Sequence, residues 1–167
     1  MSSLRYPSVL LISFSAFVVF GHPAILQGHD WLPQPEKAAI MVVSSHPDDE
    51  GIFFGGAIPY YTQVRELPMV HISMTSGDWG REPEIREEEL RNADWIYGLR
   101  NEPLFPRFKD YPTSTLDGTW DVWADGLLDG IGIEEGRAAA GLYVAEQIRR
   151  YRPDVIICHD IEGEYGH

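Results

Sequence analysis

Ala38-Ala39-Ile40-Met41-Val42-Val43-Ser44-Ser45-His46-Pro47-Asp48-Asp49-Glu50 is the stretch on which the reading of this chain turns. From Ala38 to Ser45 the run is apolar without alternation and β-branched at its centre, the pattern of a strand buried on both faces. It stops at His46-Pro47, where proline fixes the backbone and removes a donor. A helix is expected from about Glu50, carrying Ile52, Phe53, Ile58 and Tyr61, with Pro59 placed to kink or shorten it.

Working outward, Met69 to Met74 reads as a second strand ending at the turn Thr75-Ser76-Gly77-Asp78. Glu82 to Tyr97 is the clearest helix: Pro83 suits its first turn, acids crowd its N-terminal half and Gly98 ends it. Its approximate apolar face is Ile85, Leu90, Ala93 and Tyr97. Residues 101–132, rich in Pro, Gly, Asp and Trp and without a period, read as a long surface excursion. Glu134 to Tyr151 is a third helix and Asp154 to Cys158 a third strand. Strands alternating with helices predict an α/β fold, a Rossmann-like, mostly parallel sheet with helices on both faces. Ligands of such sheets bind beyond the carboxyl ends of the strands. Polar clusters follow all three strands, at His46–Asp49, at Thr75–Asp78 and from His159 onward, so a parallel sheet brings them to one rim.

Upstream, residues 22–37, with Pro23, Gly28, Pro33 and Pro35, read as an extended linker. In residues 1–21, Arg5 precedes an uncharged stretch from Val9 to Phe20, shorter than the ~20 residues of a comfortable membrane span. It suits the apolar region of a secretory signal peptide, with Val19 and Gly21 small enough to flank a cleavage site. The alternative is an uncleaved anchor. The expectation is a secreted or extracytoplasmic protein, membrane-bound only if the segment is retained.

The chain has 167 residues, 44% of them hydrophobic, and a formal net charge of −13. That suits one globular domain and disfavours nucleic acid, whose phosphates such a charge repels. Neutral or cationic ligands, or a metal ion, fit it better. Cys158 is the single cysteine, which excludes an internal disulfide and a Cys-rich zinc site. Within Val155-Ile156-Ile157-Cys158 it reads as a small buried hydrophobe.

Two clusters carry the chemistry. His46 to Glu50 packs one imidazole and three carboxylates into a strand-to-helix turn, and nitrogen with carboxylate oxygen is good coordination for zinc. His46 and Asp49 can face one metal, leaving Asp48 beside its bound water. The alternative is that Asp48 or Asp49 caps the helix and Glu50 favours its dipole. The second cluster, His159-Asp160-Ile161-Glu162-Gly163-Glu164-Tyr165-Gly166-His167, supplies two histidines and a phenol. His167 can act as general acid or ligand, and Tyr165 can donate to an oxyanion. Alone, it would read as an acidic surface loop. Trp79, Trp120 and Trp123 lie in loops and can offer ring faces to a ligand, although tryptophans more often serve as partly buried anchors.

His46-Pro47-Asp48-Asp49-Glu50 after one strand and Gly163-Glu164-Tyr165-Gly166-His167 after a later one resemble the PIG-L / LmbE-like de-N-acetylase family. Thr75-X-Gly77-Asp78, Arg86-X-X-Glu89-Leu90 and Ala93 leading to Gly98 agree, and the resemblance runs from about Ala38 to His167. It implies a domain over 38–167 that is incomplete at its carboxyl end. It further implies a zinc-dependent hydrolase that removes an acetyl group from an N-acetylated amino sugar or its conjugate. By the same resemblance His46 and Asp49 ligate zinc, Asp48 is the general base and His167 steadies the intermediate and protonates the leaving amine. Tyr165 lies near the substrate carbonyl and Arg86 near the substrate, or else Arg86 is a solvated charge beside Glu82 and Glu89. The family's third ligand is a histidine about three positions beyond the one matching His167, past the end of this chain. His71 lies inside a strand and His159 matches a non-ligand position, so neither replaces it. Two rival readings remain: a non-catalytic sugar-binding module, and a metal hydrolase of another amide or ester.

Overall fold

The structure is a computed structural model and describes residues 28–110, 113, 115, 117–119, 121–122 and 133–160. Three strands form its sheet: β1 (Ile40–Ser44), β2 (Met69–Ser73) and β3 (Val155–Cys158). All pairing is parallel in the order β2-β1-β3, with Ile40 opposite Met69 on one side and Val155 on the other. The apolar centre of β1 therefore becomes the central strand, as its unbroken hydrophobicity demands.

Helices cover both faces. On one, Met41, Val70 and Ile72 pack with Phe108, Tyr151 and Ala140, and Tyr143, Val144 and Ile148 of α4 (Ile133–Tyr151) close over them. On the other, Ile40, Val42 and Met69 meet Phe54, Ile58 and Leu99. Each of these aliphatic side chains contributes about 1.5–3 kcal/mol by leaving water.

The helix expected from Glu50 is broken. It becomes α1 (Asp49–Ile52), α2 (Ala57–Pro59) and a π-helical turn over Tyr60–Val64. Gly55-Gly56 interrupts it, and a Cβ on Gly55 would stand 2.5 Å from the carbonyl oxygen of Gly51. Ile58 is buried as expected, whereas Ile52 and Phe53 are exposed.

α3 (Pro83–Tyr97) matches its expectation closely, with Pro83 at the first turn and Gly98 ending it at φ 98°. Its buried positions are Glu87, Leu90 and Asp94, while Ile85 is exposed. The inner face is thus partly ionic, which a search for apolar period does not register.

Residues 101–110 are no surface excursion. Leu104 bridges to Ile72 and Phe108 to Thr75, and Phe108 is fully buried. Pro103 and Pro106 lack the N–H a continuous ladder needs, which hid the strand-like path. The rest of the excursion is largely outside the described residues. Cys158 is exposed rather than buried. β3 lies at the edge of the described sheet, and Val155 and Ile156 are exposed with it. Residues 28–37 run along the domain as a strap: the Leu32 N–H donates to the Arg100 carbonyl at 2.7 Å, and the His29 ring stacks on Trp95 at 4.7 Å.

Candidate active site

The clusters after β1 and β2 meet at the carboxyl rim of the sheet, in the turn that leaves β1, and His159, the start of the third, joins them there. Asp48 holds φ 123°, a conformation that costs an L-residue about 1–3 kcal/mol and persists only where its surroundings fix it. Two groups fix it here. Buried Glu50 accepts the Asp48 N–H at 2.8 Å. From α3, Arg86 donates to the Pro47 carbonyl and, at 3.0 Å, to the Asp48 carboxylate. Gly77 makes room for this clamp, because a Cβ there would come 3.1 Å from Arg86 Nε and 3.2 Å from Pro47 Cδ.

Asp48 makes no capping hydrogen bond to α1, and its side chain is 55% exposed. Asp49 turns back instead: its Oδ2 accepts the N–H groups of Ser45 at 2.9 Å and His46 at 2.8 Å. The same oxygen is 3.6 Å from His46 Nδ1 and 3.1 Å from His159 Nε2. Two imidazoles therefore converge on one carboxylate, and Phe53 and Phe54 pack on the ring of His159.

The electrostatics follow from this crowding. Burial disfavours a charged His46, but hydrogen bonds from the ring to Asp110 and Asp49, with their charges, outweigh it and raise His46 to about 9. Burial pushes Asp49 up, yet the hydrogen bonds and charge of His46, with the charge of His159, hold it below its usual range. Glu50 is raised, because burial outweighs its backbone hydrogen bonds and the charge of His71.

Behind the turn, His71 is completely buried, with Nδ1 2.8 Å from Asp94 Oδ2 and Nε2 3.0 Å from Ser44 Oγ. It binds the sheet to α3 and does not enter the site.

Of the residues singled out from sequence, His46, Asp48, Asp49 and Arg86 come together. Arg86 serves both neighbourhoods: Nη2 reaches Asp48 at the site, while Nη1 pairs with Glu89 at 2.7 Å as the alternative reading expected. His167 and Tyr165 lie outside the described residues, as do Trp120 and Trp123; Trp79 is exposed. His159, expected at the rim as the start of the cluster after β3, is there, and its contact with Asp49 is what the sequence does not foretell. One participant has no mark in the sequence. Asp110, whose Oδ1 is 3.3 Å from His46 Nε2, lay in a stretch without period, and no local signal marks it.

Among the described residues no group of three or more His, Cys, Asp or Glu side chains stands as a complete metal cage. The donor set of His46 and Asp49, an imidazole nitrogen and a carboxylate held by backbone N–H groups, nevertheless fits zinc in its chemistry.

A parallel α/β domain with an imidazole–carboxylate site at the carboxyl rim of its sheet is the class these features define. The chain belongs to the PIG-L family, described as GlcNAc-PI de-N-acetylase, which it matches over residues 41–167.

Among its relatives is a 1D-myo-inositol 2-acetamido-2-deoxy-alpha-D-glucopyranoside deacetylase from Frankia casuarinae, 28% identical, covering 86% of this chain and 50% of that protein. The protein of the same name from Segniliparus rotundus is 30% identical over 76% of this chain and 45% of its own length. A probable N-acetyl-alpha-D-glucosaminyl L-malate deacetylase 2 from Bacillus anthracis is 34% identical over 47% of this chain and 38% of that protein. The chain thus spans about half the length, or less, of these relatives. In fold it is similar to a conserved protein from Thermus thermophilus, with a TM-score of 0.52 and 24% identity over 77% of this chain and 49% of that one.

Proposed function

We propose that this protein is a zinc-dependent hydrolase that removes an acetyl group from an N-acetylated amino sugar or its small-molecule conjugate. The observation that carries this reading is the turn after β1, where Asp49 gathers the imidazoles of His46 and His159 while Asp48 projects, half exposed, beside them. The relatives' names, all of them deacetylases of glucosamine-type conjugates, support the substrate class.

In this reading His46 and Asp49 would hold the metal, with the third ligand being the histidine that the family resemblance implies about three positions past His167. His159, through its contact with Asp49, orients that carboxylate. A bound zinc ion acidifies water towards pKa ~7 and polarises the acyl oxygen. Asp48 takes a proton from the attacking water, and Arg86, with Glu50 beneath, keeps its carboxylate aimed. His167 returns a proton to the departing amine, and Tyr165 lies beside the substrate carbonyl.

Export through the N-terminal segment, cleaved or kept as an anchor, belongs to the same proposal. Among the described residues no helix is long and apolar enough to cross a membrane, and residues 1–21 lie outside them.

The test uses the natural full-length protein. Zinc near one equivalent per chain, lost in Asp49→Ala, together with faster amine release from N-acetylglucosamine conjugates than from acetyl-peptides or esters, is the expected result. A protein that binds no divalent metal overturns the proposal in favour of a sugar-binding module. The reverse substrate ranking points to a different hydrolase.

A further inference from the structure

Glu87 is an anomaly of α3: a carboxylate only 2% exposed on the inner face of a helix. A buried charge stabilises a fold poorly compared with a hydrophobe of the same size, so its partners show what it is for. Its Oε1 accepts Ser76 Oγ and Arg107 Nε, both at 2.7 Å. Its Oε2 accepts Arg107 Nη2 at 2.9 Å and Arg91 Nη2 at 3.2 Å. Arg91 is on α3 itself, but Ser76 and Arg107 belong to two different loops. One is the loop after β2, the other the segment 101–110.

Those loops converge again at the site. Three residues past Arg107, the Asp110 N–H donates to Asp78 Oδ1 at 2.8 Å, two residues past Ser76. The Asp110 carboxylate then stands 3.3 Å from His46 Nε2, while His46 Nδ1 faces Asp49. Arg107 itself sits at φ 61°, a strained conformation for a residue with a side chain. The two-point grip of Glu87 holds it there and turns the chain so that Asp110 reaches back over the rim.

We propose that Glu87 is a positioning residue for the His46 imidazole, acting through Arg107 and Ser76 on the loop that presses Asp110 against His46. The inference deepens the proposed function and rests on it for the role of His46 as ligand. A carboxylate on one ring nitrogen fixes the orientation of a metal-binding imidazole and leaves the other nitrogen to the metal. The hydrogen bonds of Glu87 go to Ser76, Arg91 and Arg107, and not to His46, Asp48 or Asp49.

The test compares Glu87→Gln, Arg107→Gln, Asp110→Asn and the Glu87→Gln/Asp110→Asn double variant in the full-length protein. Zinc affinity is read by competition with a chromophoric chelator. Hydrogen exchange at the Asp110 amide is read on the metal-free protein. Glu87→Gln and Arg107→Gln should each weaken zinc binding on the order of 10-fold and abolish protection of the Asp110 amide. Arg107 is 62% exposed, so its variant cuts the same link from the surface side, with Ser76 and Arg91 still bound to Glu87, should Glu87→Gln fold poorly. Because the proposed route runs through Asp110, the double variant should bind zinc no more weakly than Asp110→Asn alone. Multiplying losses overturn the proposal, as does unchanged Asp110 protection in both single variants. A wild-type protein that takes up no zinc overturns the proposed function instead, and the link from Glu87 to Asp110 is then decided by exchange alone.

Discussion

Asp48 at the rim and His71 inside the sheet show how differently two ionisable residues are used. Asp48 projects from a strained backbone, neither capping α1 nor buried. If its task is proton transfer, Asp48→Ala in the full-length protein should retain zinc while turnover falls by about 10²–10⁴. Metal analysis beside a kinetic assay checks this, and loss of zinc would reassign Asp48 as a ligand. His71 serves the fold, buried between Asp94 and Ser44. Burial opposes its charge, but Asp94, with Glu50 and Asp49 beyond, raises its pKa above the ordinary value. A raised folded pKa gives stability that is complete below the unfolded value of ~6.5 and is lost as pH rises through the folded one. Asp94→Asn should therefore cost about 3 kcal/mol in mildly acidic solution, and the gap should close as pH rises. Thermal unfolding of both proteins across pH measures it; a gap independent of pH would refute the charged pair. Asp94 Oδ1 has no hydrogen-bond partner among the described residues, so its pairing with His71 is what compensates that burial.

At the level of elements, the junction between the π-turn and α3 controls how the second helix meets the sheet. Thr62 and Gln63 donate to the carbonyls of Tyr97 and Ile96, satisfying helix-end acceptors that would otherwise be orphaned. Gly98 lies against the same two side chains, and a Cβ there would stand 2.6 Å from Gln63 Cγ. Gly98→Ala should lower stability by about 1–3 kcal/mol, from the left-handed backbone and the clash together, as denaturant unfolding will read. This junction also marks where the sequence was legible. Pro83 and Gly98 act through backbone geometry within a few residues, so α3 could be read to within a residue. The break at Gly55-Gly56 could not, because a glycine pair in a helical pattern signals tolerance as readily as interruption. Phe108 and Leu104 were hidden for a related reason: their pairing with β2 is punctuated by prolines, and no local period survives.

Across the whole molecule, the parallel sheet with helices on both faces was legible because an unbroken apolar β1 requires cover on either side. The gathering of post-strand clusters follows from parallel direction alone, which is why His46 and Asp49 could be named; Arg86, on α3, came only from the family resemblance. Asp110 and Glu87 could not, since a carboxylate that acts across loops has no signature in its own neighbourhood. The central place of β1 also has a consequence in time. β2 follows β1 after one short helical connection and can dock early. β3, which pairs with the other edge of β1, arrives only after α3, the 101–132 stretch and α4 have been made. Contacts of such long sequence separation carry the greatest loop-closure cost and form late. Ile157→Ala, which removes a β3 side chain packed against the core cluster that includes Ile40 and Val42, should thus speed unfolding while leaving the folding rate nearly unchanged. Folding and unfolding limbs measured against denaturant will show it; a slowed folding limb would place β3 in the nucleus. The strand that delivers His159 to Asp49 would then join after β1 and β2 have paired, so that this side of the rim takes shape later than the turn it faces.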